Sequence, residues 1–445
     1  MLRTYDEAID WIHSRLRLGV KPGLKRMEWL LSKLDNPERR LKSIHVGGTN
    51  GKGSTVTYLR SVLNAAGYQV GTFTSPYIEE FNERISINGK PIDNEEILSL
   101  VNVIKPLSDE LEGTELGAPT EFEVITAMAF YYFGAVRHVD FTIFEVGLGG
   151  RFDSTNCITP LASIITNVGM DHVQILGSTI KEIAYQKAGI IKKEIPIFTT
   201  SQNDDALTVL HAEANLQNAP LYRLGKDFFI SDYQPLTAGE QFTFRFDARF
   251  LKNLQISLLG KHQTENAAGA LAVLLYLQEK GLIQLEEDQI YSGLKAAYWP
   301  GRFECLNKNP FIFIDGAHNV EGMQAFKTAM QTHFPNMKIT IVFAALKDKD
   351  LTEMFTVLNE MNANIYLTEF DFPRAATATE LKEKSGNKTV VAESNWKKLM
   401  EHLIVSQLKE EILAVTGSLY FISEVKPYLI KLIDEQQENS TNGSD

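Results

Sequence analysis

One stretch constrains this chain more than any other: Lys42-Ser43-Ile44-His45-Val46-Gly47-Gly48-Thr49-Asn50-Gly51-Lys52-Gly53-Ser54-Thr55. A short apolar run breaks into glycines and then opens a helix-forming segment. The glycines let the backbone curl with its N–H groups inward, and a helix beginning near Ser54 adds its positive end. Polyphosphate suits such a loop. Thr49, Asn50, Gly51 and Gly53 form it, Lys52 would reach the β- and γ-phosphates, and the hydroxyl of Ser54 or Thr55 would serve a phosphate oxygen or a magnesium ion. The spacing departs from G-x-x-x-x-G-K-[ST], because Val46 stands at the first glycine and Gly53 follows the lysine. The competing reading is a generic glycine-rich turn between strand and helix.

A chain of 445 residues holds two or three domains, each with its own core. Its 44% apolar and 22% charged residues are ordinary for a globular protein, and no run of about 18 apolar residues suggests a membrane span. The net charge of −12 argues against nucleic-acid or anionic-membrane partners. The N-terminus enters an amphipathic pattern with no signal-peptide core, and Cys157 and Cys305 are too few for a disulfide framework. A cytoplasmic setting is the expectation.

Along the chain, residues Tyr5 to Leu18 space apolar side chains as a helix, and the basic, glycine-rich segment Gly19 to Arg26 interrupts it. That segment reads equally as an anion-binding loop or an ordinary connection. The helix after the phosphate loop runs to about Ala66, where Gly67 stops it. Strands follow at Tyr68–Phe73, Val139–Val146 and Ala162–Asn167, with helices at Asn94–Leu111, Phe122–Phe133 and Ile180–Ile191. Such alternation implies a mostly parallel sheet with helices on both faces, whose ligands gather outside the carboxyl ends of the strands. Ser75, Glu145 and His172 each lie at or just past such an end, as the phosphate loop does.

A hydroxyl and a carboxylate beside a triphosphate suit Mg²⁺; an imidazole is less usual for that ion. Glu145 closing an apolar strand points to a metal- or water-positioning role, since an unpaired buried charge is costly. Alone, His172 reads as readily as a core or turn histidine, Ser75 as a turn residue and Lys187 as a solvated helix lysine. Residues Phe228 to Leu259 are β-rich, an expected antiparallel appendage, and Asn266 near the start of the next helix is equally a site residue or a structural hydrogen-bonder. Trp299-Pro300-Gly301-Arg302 marks a junction, giving expected domains of 1–299 and 300–434. The polar stretch 435–445 reads as a disordered tail.

These motifs resemble the folylpolyglutamate synthase and dihydrofolate synthase group of the Mur-type amide ligases, from about Tyr5 to Tyr428. The most specific pieces are the loop Gly48 to Ser54 with its Gly53, Thr74-Ser75-Pro76, Glu145 to Asp153, Asp171-His172, Lys187-Ala188-Gly189, His262-Gln263 with Asn266-Ala267-Ala268, Pro300-Gly301-Arg302 and Asp315 to Asn319. The resemblance implies a P-loop-containing central α/β domain and a smaller C-terminal Rossmann-like domain that close over ATP, a folate and L-glutamate. It implies magnesium on Ser75, Glu145 and His172, the imidazole serving a second ion, and a carbamylated Lys187 near that second metal. It further assigns Asn266, Arg302, Asp315 and His318 to holding the nucleotide. Tyr77 departs from the histidine that many members carry after Ser-Pro.

The expected reaction activates a folate carboxylate as an acyl phosphate, with Lys52, Lys187 and His172 taken as the catalytic set, and passes it to the amine of glutamate. Small molecules are the expected partners and a monomer the expected state. Two rivals remain: a related ligase acting on a cell-wall precursor, and a non-enzymatic P-loop nucleotide-binding protein. No single residue decides whether dihydropteroate is also an acceptor.

Overall fold

The computed structural model describes residues 1–19, 21–406 and 411–442, with side chains through 436. Two compact units emerge. The first comprises Met1–Tyr233, Phe242–Ile256 and Gln263–Ala297; the second comprises Gln234–Gln241, Ser257–His262 and Tyr298–Asp445. The main division falls between Ala297 and Tyr298, and two short earlier segments, Gln234–Gln241 and Ser257–His262, group with the second unit. The physical reason is the buried Glu240, which accepts hydrogen bonds from Gly260 N–H and from His333 Nε2, the latter at 2.7 Å, and so gathers these short segments into the second unit.

The first unit is built on an eight-stranded sheet. Its strands are β1 (Ser43–Gly47), β2 (Val70–Phe73), β3 (Ile85–Ile87), β4 (Lys90–Pro91), β5 (Phe141–Glu145), β6 (Ala162–Ile165), β7 (Ile197–Thr199) and β8 (Leu221–Arg223), in the order β4-β3-β2-β5-β1-β6-β7-β8. β2, β5, β1, β6, β7 and β8 run parallel, and β3 and β4 add an antiparallel edge. Every residue of β1 and β5 is buried, so both faces of the central sheet are covered and the strands read as continuous apolar runs. On one side Phe73 and Phe144 pack with Phe130, whose ring centroid lies 4.8 Å from that of Phe144, and with Met27, Leu30 and Ile97 of surrounding helices.

The helix that follows the phosphate loop spans Lys52–Ala65, two residues earlier than the sequence suggests. The opening helix stops at His13 and a 3₁₀ turn follows at Leu16–Leu18. A helix spans Lys25–Lys33, so the basic segment is a connection between two helices; Met27, Leu30 and Leu31 lie at helical spacing and are buried. Val20, within the basic segment, lies outside the described residues. The expected appendage is a three-stranded meander, β9 (Phe228–Leu236), β10 (Gly239–Phe246) and β11 (Arg249–Ile256), ordered β11-β10-β9.

The second unit carries a six-stranded sheet of β12 (Glu304–Lys308), β13 (Phe311–Ile314), β14 (Lys338–Phe343), β15 (Ala363–Glu369), β16 (Val391–Asn395) and β17 (Glu411–Thr416), ordered β12-β13-β17-β14-β15-β16. Only β12 is antiparallel to its neighbour, so the architecture is Rossmann-like. The last helix runs Leu419–Asn442, past the point where a disordered tail is expected, because Asp434-Glu435-Gln436 introduces no helix breaker; residues 443–445 lie outside the described residues. Among the described residues no helix is long and apolar enough to cross a membrane.

The helix carrying Lys52 is fixed from behind by the helix Glu287–Ala296, whose Gly293 C=O accepts from Ser61 Oγ at 2.7 Å. A Cβ on Gly293 would sit 2.6 Å from Val62 Cα. Backbone cannot yield as a side chain does, so Gly293→Ala is expected to destabilise the protein by about 1–3 kcal/mol. Thermal unfolding checks this; an unchanged melting temperature would contradict the close helix contact.

Candidate active site

The loop between β1 and its helix is shaped by the end of the adjacent strand. Beyond β6, Asn167 accepts Thr49 N–H through its C=O at 3.0 Å and Asn50 N–H through Oδ1 at 2.7 Å, while Thr166 Oγ1 donates to Asn50 C=O at 2.6 Å. Thr49 Oγ1 accepts Gly169 N–H at 2.9 Å. Thr49 and Asn50 thus spend their backbone donors on the protein. Gly51, Gly53 and Ser54 precede the first bond of the helix, Thr55 N–H to Gly51 C=O at 2.9 Å, and their N–H groups point along its positive end. Ser54 and Thr55 are both buried, and the Thr55 hydroxyl makes no hydrogen bond.

Two glycines of this loop are required twice over. Gly48 and Gly51 have φ of 143° and 83°, and a Cβ would come within 1.9 Å of Thr166 Oγ1 and 2.2 Å of Asn266 Oδ1 respectively. The second distance places Asn266, whose Nδ2 donates to Gln263 Oε1 at 3.1 Å, directly against the loop. Lys52 is half-buried, with Nζ donating to the Gly48 and Thr49 carbonyls at 3.2 and 3.0 Å.

Glu145 closes β5, is 4% exposed, and accepts Ser75 N–H through Oε2 at 3.3 Å. The strand β2 delivers Ser75, which is followed by a cis peptide to Pro76. Ser75 and Glu145 thereby stand side by side, and a serine hydroxyl with a carboxylate is an oxygen donor set that suits Mg²⁺. Among the described residues no three His, Cys, Asp or Glu side chains form a metal-holding group, so any ion here relies on hydroxyl, phosphate and water oxygens as well. His172 holds a left-handed φ of 50° at the head of the short helix Val173–Leu176, with its N–H on Asp171 Oδ1 at 2.8 Å and its half-exposed ring 3.9 Å from the same carboxylate. Tyr77, the departure from the family pattern, packs edge-on against Phe81, with Arg84 5.3 Å above its ring.

Lys187 is no solvated helix lysine. It is 3% exposed, and burial together with the charge of Lys52 pulls its amine down to about 7, against the opposing pull of Asp171 and Asp153. Those influences bring Lys52, Lys187, Asp171 and Asp153 into one electrostatic neighbourhood. The signal was present in the sequence: Ile183, Ala184, Lys187 and Ala188 form the buried stripe of the helix Ile180–Ala188. The glycine-rich turn after β5 anchors this helix, with Arg151 N–H on Gln186 C=O at 2.7 Å and Asn156 Nδ2 on Gly189 C=O at 3.0 Å. Asp153 organises the turn, accepting Leu148 N–H at 2.8 Å and bonds from Thr155, whose Oγ1 lies 2.8 Å from Nε2 of the buried His45. Burial holds His45 down to about 3, so it is neutral. Thr166 and Asn167 are the site-shaping residues the sequence reading did not single out, and Asp153 entered it only as the end of a longer motif.

Two cations of the basic segment are held by protein partners. Arg26 pairs with the buried Glu123 at 2.8 Å, and Lys21 Nζ donates to Ala118 C=O at 3.1 Å. In the second unit, Asp315 follows β13 and accepts Phe303 and Ala317 N–H groups at 2.8 and 2.9 Å. Burial raises its carboxyl and nearby Arg302 opposes that shift. His318 Nδ1 bonds Gly316 C=O at 2.7 Å, so Arg302, Asp315 and His318 share one corner of this unit.

Comparison with known proteins agrees with this geometry. Residues 46–274 match the model of the Mur ligase middle domain and residues 301–419 that of the Mur ligase glutamate ligase domain. The chain is 45% identical over 433 residues to the dihydrofolate synthase/folylpolyglutamate synthase of Bacillus subtilis (strain 168), covering 96% of this chain and 100% of that one. It superposes with a TM-score of 0.88 on Mycobacterium tuberculosis folylpolyglutamate synthase complexed with ADP, at 29% identity and covering 96% and 98% of the two chains. The corresponding values for an FPGS-AMPPCP-folate complex are 0.82, 33%, 95% and 99%. With strand order, phosphate loop and the Ser75–Glu145 pair all in place, this chain belongs to the folylpolyglutamate synthase/dihydrofolate synthase family of ATP-dependent, carbon–nitrogen-bond-forming Mur ligases.

Proposed function

We propose that this enzyme adds L-glutamate to the terminal γ-carboxylate of a tetrahydrofolate, releasing ADP and phosphate, and that dihydropteroate is a second acceptor. The observation that carries the reading is the meeting of the phosphate loop with Lys187: two lysines and two acids share the rim where Ser75 and Glu145 also stand. The double name of the Bacillus subtilis relative supports dihydropteroate as an acceptor.

A carboxylate repels an incoming amine and has no good leaving group. Its oxygen therefore attacks the γ-phosphorus of ATP, ADP departs, and an acyl phosphate remains. The glutamate amine then attacks the acyl carbon, and phosphate leaves with the former carboxylate oxygen. Lys52 neutralises charge on the transferring phosphoryl group, and the N–H groups of Gly51, Gly53 and Ser54 hold the phosphates. Ser75, Glu145 and His172 would hold magnesium, which supplies positive charge against the triphosphate when bound. Asn266 steadies the loop, and Arg302, Asp315 and His318 belong to the same proposal as nucleotide-binding residues.

Lys187 carries a further part of the proposal. A buried amine that is neutral near pH 7 adds to CO₂, forming an N–C bond and releasing one proton, to give a carbamate able to serve a second ion. The protonated amine cannot do so. Carbamate occupancy should therefore rise as pH rises through about 7 and fall below it. Carbon NMR with isotopically labelled bicarbonate checks this; an occupancy that does not change across that interval, or a signal that survives in Lys187→Arg, would contradict it.

The activity itself is tested with ATP, magnesium and labelled glutamate, offering tetrahydrofolate and dihydropteroate separately and following ADP and product mass. Amide product from either acceptor supports ligation, and ADP release without any product overturns it. Lys52→Ala and Glu145→Ala are each expected to cost at least on the order of 10²–10³ in turnover while melting near wild type. Near-normal turnover in either would remove that residue from its role.

A further inference from the structure

The last helix, Leu419–Asn442, buries Ile422, Val425 and Leu429, and in the same stripe it buries a lysine: Lys426 is 3% exposed. An ammonium taken out of water is costly unless it is paired. Its Nζ lies 2.7 Å from Oε1 of Glu304, the first residue of β12, which is itself 9% exposed. The hydroxyl of Tyr298 donates to the same oxygen. Burial and the Glu304 carboxylate push that phenol up to about 12, so it stays a donor. No step of the ligase reaction uses Lys426, Glu304 or Tyr298.

The other oxygen of Glu304 has a different task. Oε2 accepts Gly301 N–H at 2.7 Å, and Gly301 C=O in turn accepts Gly316 N–H at 2.8 Å. Two residues on, Phe303 N–H donates to Asp315 Oδ2 at 2.8 Å. Gly301 and Phe303 both hold left-handed backbone, with φ of 65° and 48°. That conformation is unfavourable for a phenylalanine. It persists because the Asp315 bond and ring packing against Phe313 and Phe326, with centroids 5.1 and 5.7 Å away, over-determine it. The half-buried Arg302 thus stands between two fixed neighbours, one held by Asp315 and the other by Glu304. Lys426 and Tyr298 tie down Oε1 and so aim Oε2 at Gly301.

We propose that Lys426 and Glu304 are positioning residues for nucleotide binding: the buried pair fixes the Gly301 end of the turn and thereby sets Arg302 where it meets the nucleotide. This role rests on the reading of Arg302 as a nucleotide-binding residue. A guanidinium at the end of a long side chain reaches a phosphate in useful geometry only from a backbone held in place, and small misplacements are costly.

The test measures KM for ATP and kcat, with tetrahydrofolate and glutamate saturating, in Arg302→Ala, in Lys426→Met/Glu304→Leu and in the three substitutions combined. Removing both charges together leaves no buried charge unpaired, so the double variant is expected to melt near wild type. Its KM for ATP should rise at least about fivefold while kcat stays within about twofold. Arg302→Ala should raise the same KM, and the combined variant should be no worse than Arg302→Ala alone, because two changes that act through one side chain do not add. If the double variant fails to fold, Glu304→Gln decides the matter: it exchanges a charged bond on Gly301 N–H for a neutral one and should raise KM at least about threefold. An unchanged KM in the folded variant, or effects that multiply in the combined one, would overturn the positioning role and leave Arg302 in place. A silent Arg302→Ala would instead remove Arg302 from nucleotide binding, and the positioning role with it.

Discussion

The site depends on a hydrogen-bonded bracket between neighbouring strand ends. Thr166 and Asn167, beyond β6, grip the loop that follows β1 through Thr49 N–H, Asn50 N–H and Asn50 C=O. A glycine loop left to itself samples many conformations; gripped from the side, it presents the N–H groups of the following helix in one direction. Gly48 and Gly51 make the grip possible, since a side chain at either would displace Thr166 or Asn266. Phosphate binding at this rim is thus a property of strand order as much as of the loop sequence.

The same parallel sheet explains why unlike groups converge. β2 and β5 end beside one another and set Ser75 against Glu145, while the turn after β5 closes on the helix that buries Lys187. Burying an ammonium is costly, and another cation close by raises that cost. The chain retains both lysines near one rim, which makes sense where an anionic triphosphate is to be met there.

Much of this was legible in the sequence for a definite reason. Strands buried on both faces appear as unbroken apolar runs ending in glycines, so β1, β5 and β6 and the loops beyond them could be read directly. Less legible were features set by contacts between distant segments. Asn167 reveals its role only when β6 pairs with β1. Lys187 sat in an apolar stripe, but a nine-residue helix offers few positions from which to assign a face. The basic segment before the helix Lys25–Lys33 reads equally as an anion site or a connection, and only distant partners, Glu123 for Arg26 and Ala118 C=O for Lys21, decide between them. Glu240 gathers short chain segments into the second unit by a buried pairing with His333, which no local pattern announces.

Carboxylate activation by phosphoryl transfer is what the proposed reaction asks of this rim. The most direct measurement labels the folate γ-carboxylate with heavy oxygen and follows the label through one round of ligation. Transfer of one labelled oxygen per product into inorganic phosphate is the result an acyl-phosphate route requires. Amide formation with unlabelled phosphate would contradict it.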